Sequence, residues 1–201
     1  MKLFFTIVSY IFHPIFMPIG GTLAYFIITP KYNPLETQSG NILPIFILTV
    51  IIPIITFLIL KNLGLASTVF MPTLSERKYP LYIHILLLLL VLIKVIPNNY
   101  ISELYFYFVG LLGAAFASLI LLYFKFKASL HVVGVGGLLM FLINLSIHFE
   151  INVIIAISLF TLSLGLVASS RSYLKAHSKS ELFVGLCIGL LSQLLTVRFW
   201  L

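Results

Sequence analysis

Long apolar runs separated by short polar stretches dominate the sequence. Seven of these runs are each about as long as the roughly 20 residues that a membrane-spanning helix needs. They lie at residues 3–29, 42–60, 81–97, 104–123, 128–148, 152–169 and 182–201. Because lipid offers the backbone no hydrogen-bond partners, each run is predicted to be a helix. The pattern therefore predicts an all-α fold, a polytopic transmembrane bundle of six or seven helices.

The first apolar run leaves the number of helices open. Pro14, Pro18 and the pair Gly20-Gly21 interrupt it, and they either kink one span or split the run into a re-entrant hairpin. The run has no clear small-residue cleavage site. It is therefore interpreted as a retained span rather than as a signal peptide.

Composition supports a membrane protein with little mass outside the bilayer. The 201 residues are 61% hydrophobic and 8% charged, whereas soluble domains carry about 25% charged residues. No polar stretch is long enough for a second domain, so residues 1–201 are predicted to form one transmembrane domain. The single cysteine, Cys187, provides neither a disulfide nor a metal site within one chain. The net charge of +7 points to anionic lipid or an anionic ligand rather than to nucleic acid, because no basic stripe is present.

Polar residues gather in three clusters, at residues 61–80, 124–131 and 169–181. Two spans separate each cluster from the next, so all three are expected on one side of the membrane. With the N-terminus, that side holds nine of the twelve lysine and arginine residues, and the positive-inside rule favours the cytoplasm. If the four cations that a phosphate ligand would engage are left out, five lysine and arginine residues remain on that side and three on the other. The charge asymmetry is then only a small indication.

The third cluster contains the most specific pattern, Ser170-Arg171, five residues, His177, three residues and Glu181. Residues four apart share a helix face, so the Glu181 carboxylate is expected to hold one imidazole nitrogen of His177. The other nitrogen is then free as a base or nucleophile. Arg171 is suited to bind phosphate in a bidentate manner. Alternatively, Ser178 and Glu181 form a capping box, and Arg171 is a membrane-surface anchor.

The other two clusters add cations and a second histidine. Lys127, Ser129 and His131 stand where the fifth span begins, and a helix N-terminus favours an anion. His131 is a candidate to protonate a leaving oxygen, although Ser129 is also a plausible helix cap. Arg77 and Lys78 precede the third span, in what is otherwise a solvated loop. Together the clusters favour a site for an anionic head group on an apolar tail.

These residues resemble the type 2 phosphatidic acid phosphatase superfamily of membrane lipid phosphatases, over about residues 73–190. The third motif of that family is Ser-Arg-x5-His-x3-Asp, and here Glu181 replaces the aspartate. The second motif, Pro-Ser-Gly-His, corresponds to Ala128-Ser129-Leu130-His131. Of the first motif, Lys-x6-Arg-Pro, only Arg77-Lys78-Tyr79-Pro80 is found, and Phe70 stands where the lysine would fall.

The resemblance implies a role for each candidate residue. His177 would be the nucleophile, Glu181 would orient it, and His131 would be the general acid. Phosphate would be held by hydroxyl and cationic side chains, namely Arg171, Ser129, Ser170, Arg77, Lys78 and Lys127.

The activity implied is that of a metal-independent phosphoric monoester hydrolase in the bacterial inner membrane. It would hydrolyse a lipid or isoprenoid phosphate through a phosphohistidine, with no cofactor. The alternative is a catalytically inactive relative that binds or moves phospholipid or assists membrane assembly. A small secondary transporter is disfavoured, because the polar residues cluster at one face rather than at the midplane.

Several polar or small residues within the spans are interpreted as structural. His13, His84 and Asn144 are expected to hydrogen-bond to neighbouring helices. Gly185 and Gly189 have a small-xxx-small spacing that predicts a packing seam within the bundle.

Overall fold

The computed structural model describes residues 1–71, 73–97 and 101–200, and within these ranges the regular secondary structure is helical. The α-helices, numbered in chain order, are α1 (Lys2–Ile11), α2 (Met17–Ile28), α3 (Leu35–Phe46), α4 (Ile52–Asn62), α5 (Leu74–Leu90), α6 (Ser102–Tyr123), α7 (Leu130–His148), α8 (Ile154–Tyr173) and α9 (Lys179–Val197). A 3₁₀ turn at Pro14–Phe16 joins α1 to α2. A π-helical turn at Ile47–Ile51 joins α3 to α4, and another at Val91–Val95 extends α5.

These elements form seven segments of 19 to 28 residues that are long and apolar enough to cross a membrane. The prediction of an all-α bundle is therefore confirmed, and the number of spans is seven in the part of the chain that is described. Successive spans run in opposite directions. As a result, residues 63–71, 124–129 and 174–178 lie at the same end of the bundle as the N-terminus.

The first apolar run crosses the bundle once, with a break in the middle. Near its start, Ser9 contacts Ser170 at the end of α8. Near its end, Tyr25 reaches Glu103 at the beginning of α6, which lies at the opposite end of the bundle. The break coincides with Pro14, which has no amide hydrogen to continue the helix. Of the two alternatives for this run, the structure has the kinked span.

The third span begins earlier than its apolar run suggested. The prediction that residues 61–80 form a loop was wrong for its last part, because α5 begins at Leu74 and includes Arg77, Lys78 and Pro80. The Thr73 hydroxyl caps this helix by accepting a hydrogen bond from the backbone N–H of Glu76, at 3.3 Å. A capping side chain can therefore start a helix within polar sequence, ahead of the membrane-spanning run.

Three other spans differ from their predicted bounds in the same way. The second extends over Leu35–Asn62, the sixth over Ile154–Tyr173 and the seventh over Lys179–Val197. At most of these ends, polar residues continue the helix beyond the apolar run. Hydropathy alone marks the lipid-embedded part of a helix and not its full length.

The centre of the bundle is α7, the most buried span. It packs against α9 at an interface of small residues. A Cβ atom added to Gly189 would clash with the Val133 carbonyl oxygen and lie 2.9 Å from the Gly137 nitrogen. One added to Gly185 would lie 2.9 Å from the Ser129 carbonyl oxygen. The two glycines therefore form the packing seam that their spacing predicted.

Buried hydrogen bonds and ion pairs connect the spans at other places in the bundle. The Asn144 amide donates to the Gln193 carbonyl oxygen at 3.3 Å, as predicted for a polar residue in the middle of a span. At the end of the bundle opposite the three polar clusters, the buried Glu103 carboxylate pairs with Lys31 and lies 3.4 Å from His148 Nε2. Intramembrane polar groups in these positions are satisfied by protein partners.

Adding one methyl group at the α7–α9 seam should destabilise the bundle. We expect Gly189→Ala to cost about 1–3 kcal/mol, because the methyl group meets backbone atoms that cannot move away. Gly165→Ala is the matched control, since its Cβ meets nothing within 4 Å. In a helix interior that change should be neutral or stabilise by up to about 1 kcal/mol. Thermal unfolding of both variants in detergent, followed by fluorescence-detected size exclusion, tests this. Equal midpoints would contradict the packing described here.

Candidate functional site

A cavity of about 260 Å³ lies at the end of the bundle where the three polar clusters meet. Six basic side chains line it, and they are His13, Arg77, His84, His131, Arg171 and His177. The rest of the lining is largely apolar and is contributed mainly by α4, α5 and α6. The cavity therefore has a cationic end and an apolar body.

The Glu181 carboxylate orients the His177 ring. His177 Nδ1 lies 2.9 Å from Glu181 Oε2, across one turn at the start of α9. The same oxygen accepts the Ser178 backbone N–H at 3.1 Å, and the Ser178 hydroxyl accepts the Glu181 N–H at 3.3 Å. The capping box and the His–Glu pair are thus present together. The cap fixes the carboxylate that in turn holds the imidazole.

The Arg77 guanidinium lies on the other side of the His177 ring. Its Nη2 is 3.3 Å from His177 Nε2, while its Nε and Nη1 donate to the carbonyl oxygens of Met71 and Ala128 at 2.9 and 3.3 Å. A guanidinium group only donates hydrogen bonds, so His177 Nε2 must present its lone pair to it. The proton of the neutral ring is then on Nδ1, where Glu181 accepts it. This is the tautomer that leaves Nε2 available as a nucleophile.

The surroundings of His177 keep its imidazole neutral. Burial, followed by the positive charges of Arg77, Arg171 and Lys127, lowers the pKa of His177 to about 3. At neutral pH the ring therefore carries no charge, and the Nε2 lone pair is not lost to a proton.

Arg171 is the most completely enclosed cation of the site, with 2% of its surface exposed. Its Nη1 donates to the Ser9 hydroxyl at 3.3 Å, and its Nε has no hydrogen-bond partner among the residues described. The guanidinium carbon lies 5.0 Å from the centre of the Phe70 ring, a cation–π distance. Phe70 stands where the first motif of the resembled family has a lysine. Here it supports the face of an arginine instead.

Among the residues that the structure describes, no carboxylate lies within ion-pair distance of either guanidinium. The ion pairs found in the described part of the chain are Lys31–Glu103, His148–Glu103 and His177–Glu181. Removing a charge from water without a partner is costly, and a bound anion offsets that cost. The cavity is therefore electrostatically prepared for an anion.

A backbone carbonyl orients the second histidine. His131 Nε2 lies 3.1 Å from the Ser9 carbonyl oxygen, which only accepts, so Nε2 carries the proton. This oxygen is available because α1 ends at Ile11 and the His13 N–H bonds to Tyr10 instead. The break in the first span thus supplies the partner that fixes the His131 tautomer.

The Ser9 hydroxyl connects α1 to both residues of the Ser170-Arg171 pair. Ser170 Oγ donates to the Phe5 carbonyl oxygen at 2.7 Å, so the 2.7 Å contact between Ser9 Oγ and Ser170 Oγ uses the Ser9 proton. Ser9 Oγ then accepts from Arg171. Ser170 is therefore directed toward α1, and its predicted contact with phosphate stays a prediction.

The remaining predicted residues lie around the cavity rather than in its described lining. Ser129 precedes α7, but its buried hydroxyl makes no capping bond and has no partner among the residues described. The Lys78 amine lies 5.4 Å from the centre of the Tyr123 ring. Lys127 contributes its charge to the environment of His177. Their roles in phosphate binding stay predictions.

Sequence reasoning missed three residues at this site. His13 and His84 were predicted to be structural, but both line the cavity. The His13 ring centre lies 5.2 Å from that of His131, and its Nδ1 accepts the Ile15 N–H at 3.4 Å. Ser9 was not considered. The one signal in the sequence was the pair His13-Pro14, which marks a helix break inside a span.

Comparison of the chain with protein-family models, curated proteins and solved structures found no match. Among the residues described, no group of three His, Cys, Asp or Glu side chains is placed to hold a metal ion. The contacts of Arg77, His131, Arg171 and His177 are therefore the observations from which we infer a function.

The His177 ring should not titrate in the physiological range. In protein labelled with ¹³C and ¹⁵N at histidine, we expect its ring signals to stay constant between about pH 5 and 8. Arg77→Gln removes the nearest positive charge and should move the pKa of His177 upward from about 3. His177→Gln assigns the signal. An inflection near pH 6.5 in the wild-type protein would show that the ring is solvated and unpaired.

Removing the Ser9 hydroxyl should leave the Arg171 guanidinium less firmly positioned. We expect Ser9→Ala to weaken the binding of inorganic phosphate about threefold to tenfold, because one hydrogen bond that positions the guanidinium is lost. The matched control is Thr6→Ala, one turn earlier, where the hydroxyl donates to the Lys2 carbonyl oxygen of its own helix. Isothermal titration of detergent-solubilised protein measures both affinities. Equal affinities for the two variants would rule out a role for Ser9.

Proposed function

We propose that this protein is an integral membrane phosphatase that hydrolyses a lipid or isoprenoid phosphate through a phosphohistidine at His177, without a metal. One observation carries the proposal. Two buried arginines, which have no carboxylate partner in the described ranges, share a cavity with a neutral histidine whose second nitrogen is held by a carboxylate. The resemblance of these residues to the type 2 phosphatidic acid phosphatases supports it.

The substrate phosphate would bind between Arg77 and Arg171. Each guanidinium offers parallel N–H groups that match two phosphate oxygens. The Arg77 Nη2 lies 3.3 Å from His177 Nε2, so a bound phosphate oxygen would draw this N–H away and uncover the lone pair. The dianion would also supply the negative charge that the site lacks.

In the first chemical step, His177 Nε2 attacks the phosphorus atom and the bond from phosphorus to the lipid oxygen breaks. The arginines offset charge on the transferring group, which carries much of the catalysis in phosphoryl transfer. Glu181 stabilises the positive charge that develops on the ring. The leaving oxygen takes a proton from His131, a neutral ring that receives its second proton from the phosphate monoanion as the substrate binds. Because the Ser9 carbonyl holds the Nε2 proton, the transferable one is on Nδ1.

In the second step, water attacks the phosphorus of the phosphohistidine. His131, neutral after the first step, accepts a proton from the water at Nδ1. The phosphorus–nitrogen bond breaks, inorganic phosphate takes the proton from His131 and leaves as its monoanion, and His177 and His131 return to their neutral starting states. The cycle consumes one water and releases one lipid alcohol and one phosphate.

We place the site at the cytoplasmic face of a bacterial inner membrane. With Arg77 and Arg171 assigned to the cavity, seven of the nine cations at that end of the bundle remain, against three at the opposite end. Lysine and arginine concentrate on the cytoplasmic side of membrane proteins. Lys78, which packs on Tyr123, counts toward this asymmetry rather than toward the ligand.

A second function is favoured by two departures from the resembled family. Phe70 stands where that family has a lysine, and the Leu130 side chain lines the cavity where it has a glycine. Both reduce the polar surface available to a transferring phosphoryl group. A protein that binds or moves phospholipid, or assists membrane assembly, would retain the anion site without turning substrate over.

Phosphate release should depend on both site histidines. The assay uses purified protein and lipid phosphates in mixed micelles, with a chelator present. We expect the rate of phosphate release by His177→Ala to fall to background. The rate for His131→Ala should fall about 10²- to 10⁴-fold, the usual contribution of a general acid. His148→Ala, at the opposite end of the bundle, is the control and should retain activity. Brief incubation with ³²P-labelled substrate should label His177 with an acid-labile phosphate.

Equal background rates of phosphate release from the wild-type protein and His177→Ala would refute the proposed phosphatase activity. Retained binding of lipid phosphate in that case would favour the non-enzymatic function. Loss of activity on adding chelator would contradict the metal-free mechanism.

A further inference from the structure

Four of the helices end in the same backbone arrangement, in which the residue after the helix cap has a positive φ. In α4 that residue is Gly64, with a φ of 72°. In α6, α7 and α8 it is Lys125, Glu150 and Lys175, with φ values of 59°, 53° and 52°. At each end, the N–H of this residue and the N–H of the next one donate to carbonyl oxygens of the last turn, which is the Schellman motif. Three of the four ends therefore have a charged side chain where glycine is the usual residue.

This backbone conformation is strained for a residue that has a side chain. The Cβ atom crowds the following carbonyl oxygen, so lysine and glutamate rarely adopt it. Met71 also has a positive φ, of 44°, and there the strained residue serves the cavity, since its carbonyl oxygen accepts a hydrogen bond from Arg77. Strain of this kind persists where the surrounding structure or a function favours it. At the three helix ends, the charge of the side chain is the property that glycine would not supply.

The sign of the charge at these helix ends follows the side of the membrane. A helix C-terminus favours a cation and disfavours an anion. The helix dipole therefore accounts for Lys125 and Lys175 but not for Glu150, which follows α7. The two lysines follow α6 and α8 at the end of the bundle that holds the cationic cavity, whereas Glu150 lies at the opposite end. A partner that differs between the two membrane surfaces explains all three residues, and the helix dipole does not.

Both lysines stand at the depth of the lipid head groups. Each comes two residues after the last residue of a membrane-spanning segment, which is Tyr123 for Lys125 and Tyr173 for Lys175. The two tyrosines are 60% and 48% exposed on the outside of the bundle, and exposed tyrosines at span ends lie at the membrane–water interface. The lysine side chains are exposed as well, and neither amine has a hydrogen-bond or ion-pair partner among the residues described. Both amines are therefore open to a ligand from the surrounding leaflet.

We propose that Lys125 and Lys175 bind the head groups of anionic phospholipids in the leaflet around the cationic end of the bundle. In each case the tyrosine sets the depth in the bilayer, and the left-handed turn ends the helix there and keeps the lysine at that depth. A lysine beside an anionic membrane surface strengthens binding about fivefold. A zwitterionic lipid carries its own cation beside the phosphate and gains less from a lysine. This surface is separate from the cavity, whose described lining contains neither lysine, so the proposal does not depend on phosphatase activity.

Thermal unfolding in a neutral detergent tests the proposal, with phosphatidylglycerol or phosphatidylcholine added. The double variant Lys125→Gly/Lys175→Gly removes both charges and relieves both strained positions. In detergent alone we expect its midpoint to rise by about 4–8 °C, about 2–4 °C for each position. Phosphatidylglycerol should raise the midpoint of the wild-type protein more than phosphatidylcholine does, and the double variant should lose most of that difference. Glu150→Gly is the matched control, because it relieves the same strain at the opposite end and should keep the full difference.

Direct binding of fluorescent phosphatidylglycerol to the detergent-solubilised protein gives a second measurement. At low salt we expect the double variant to bind it about 25-fold more weakly, fivefold for each lysine, and the difference should shrink as salt is added. If the glycine variant does not fold, Lys125→Asn/Lys175→Asn removes the charges with a residue that tolerates the left-handed conformation.

Three results would overturn the proposal. The first is an equal effect of phosphatidylglycerol on the wild-type protein and the double variant. The second is an equal effect of the two lipids on the wild-type protein, which would show that the hydrocarbon chains and not the charges stabilise it. The third is a lower midpoint of the double variant in detergent alone, which would show that the lysines only complement the helix dipoles. None of these measurements uses phosphate release, so they stand whether or not the protein is a phosphatase.

Discussion

This end of the molecule is organised around two buried arginine guanidinium groups that have no carboxylate partner in the part of the chain that is described. Arg77 is held by the carbonyl oxygens of Met71 and Ala128, and Arg171 by the Ser9 hydroxyl and the Phe70 ring. Dipoles and an aromatic face stabilise the two cations without neutralising them. The net positive charge therefore stays in the cavity, at a place where little water screens it.

Carboxylates are placed so that this charge persists. Glu181 is directed to His177 and to the N-terminus of α9, and Glu76 accepts hydrogen bonds from Ser67. Glu103, the most buried acid, lies at the opposite end of the bundle with Lys31. The separation gives one end of the cavity a field that favours an anion, and it keeps the nearest carboxylate occupied with orienting the imidazole.

The break in the first span positions two site residues that are far from it in the sequence. Pro14 ends regular hydrogen bonding, and the freed carbonyl of Ser9 holds His131, while its hydroxyl positions Arg171. The orientation of both residues therefore depends on a helix that lies outside the three motif regions. A first span that continued as regular helix would use the Ser9 carbonyl internally and leave His131 without its partner.

The sequence by itself determined a bundle of six or seven apolar helices, the shared side of the three polar clusters and the pairing of His177 with Glu181. These follow from local rules: backbone satisfaction in lipid, an even number of crossings, and four-residue spacing on a helix. Only the tertiary structure decided that Ser9, His13 and His84 line or support the cavity and that Ser170 faces α1. Those contacts join residues far apart in the chain, and they depend on the direction in which a broken helix resumes, which no local pattern encodes.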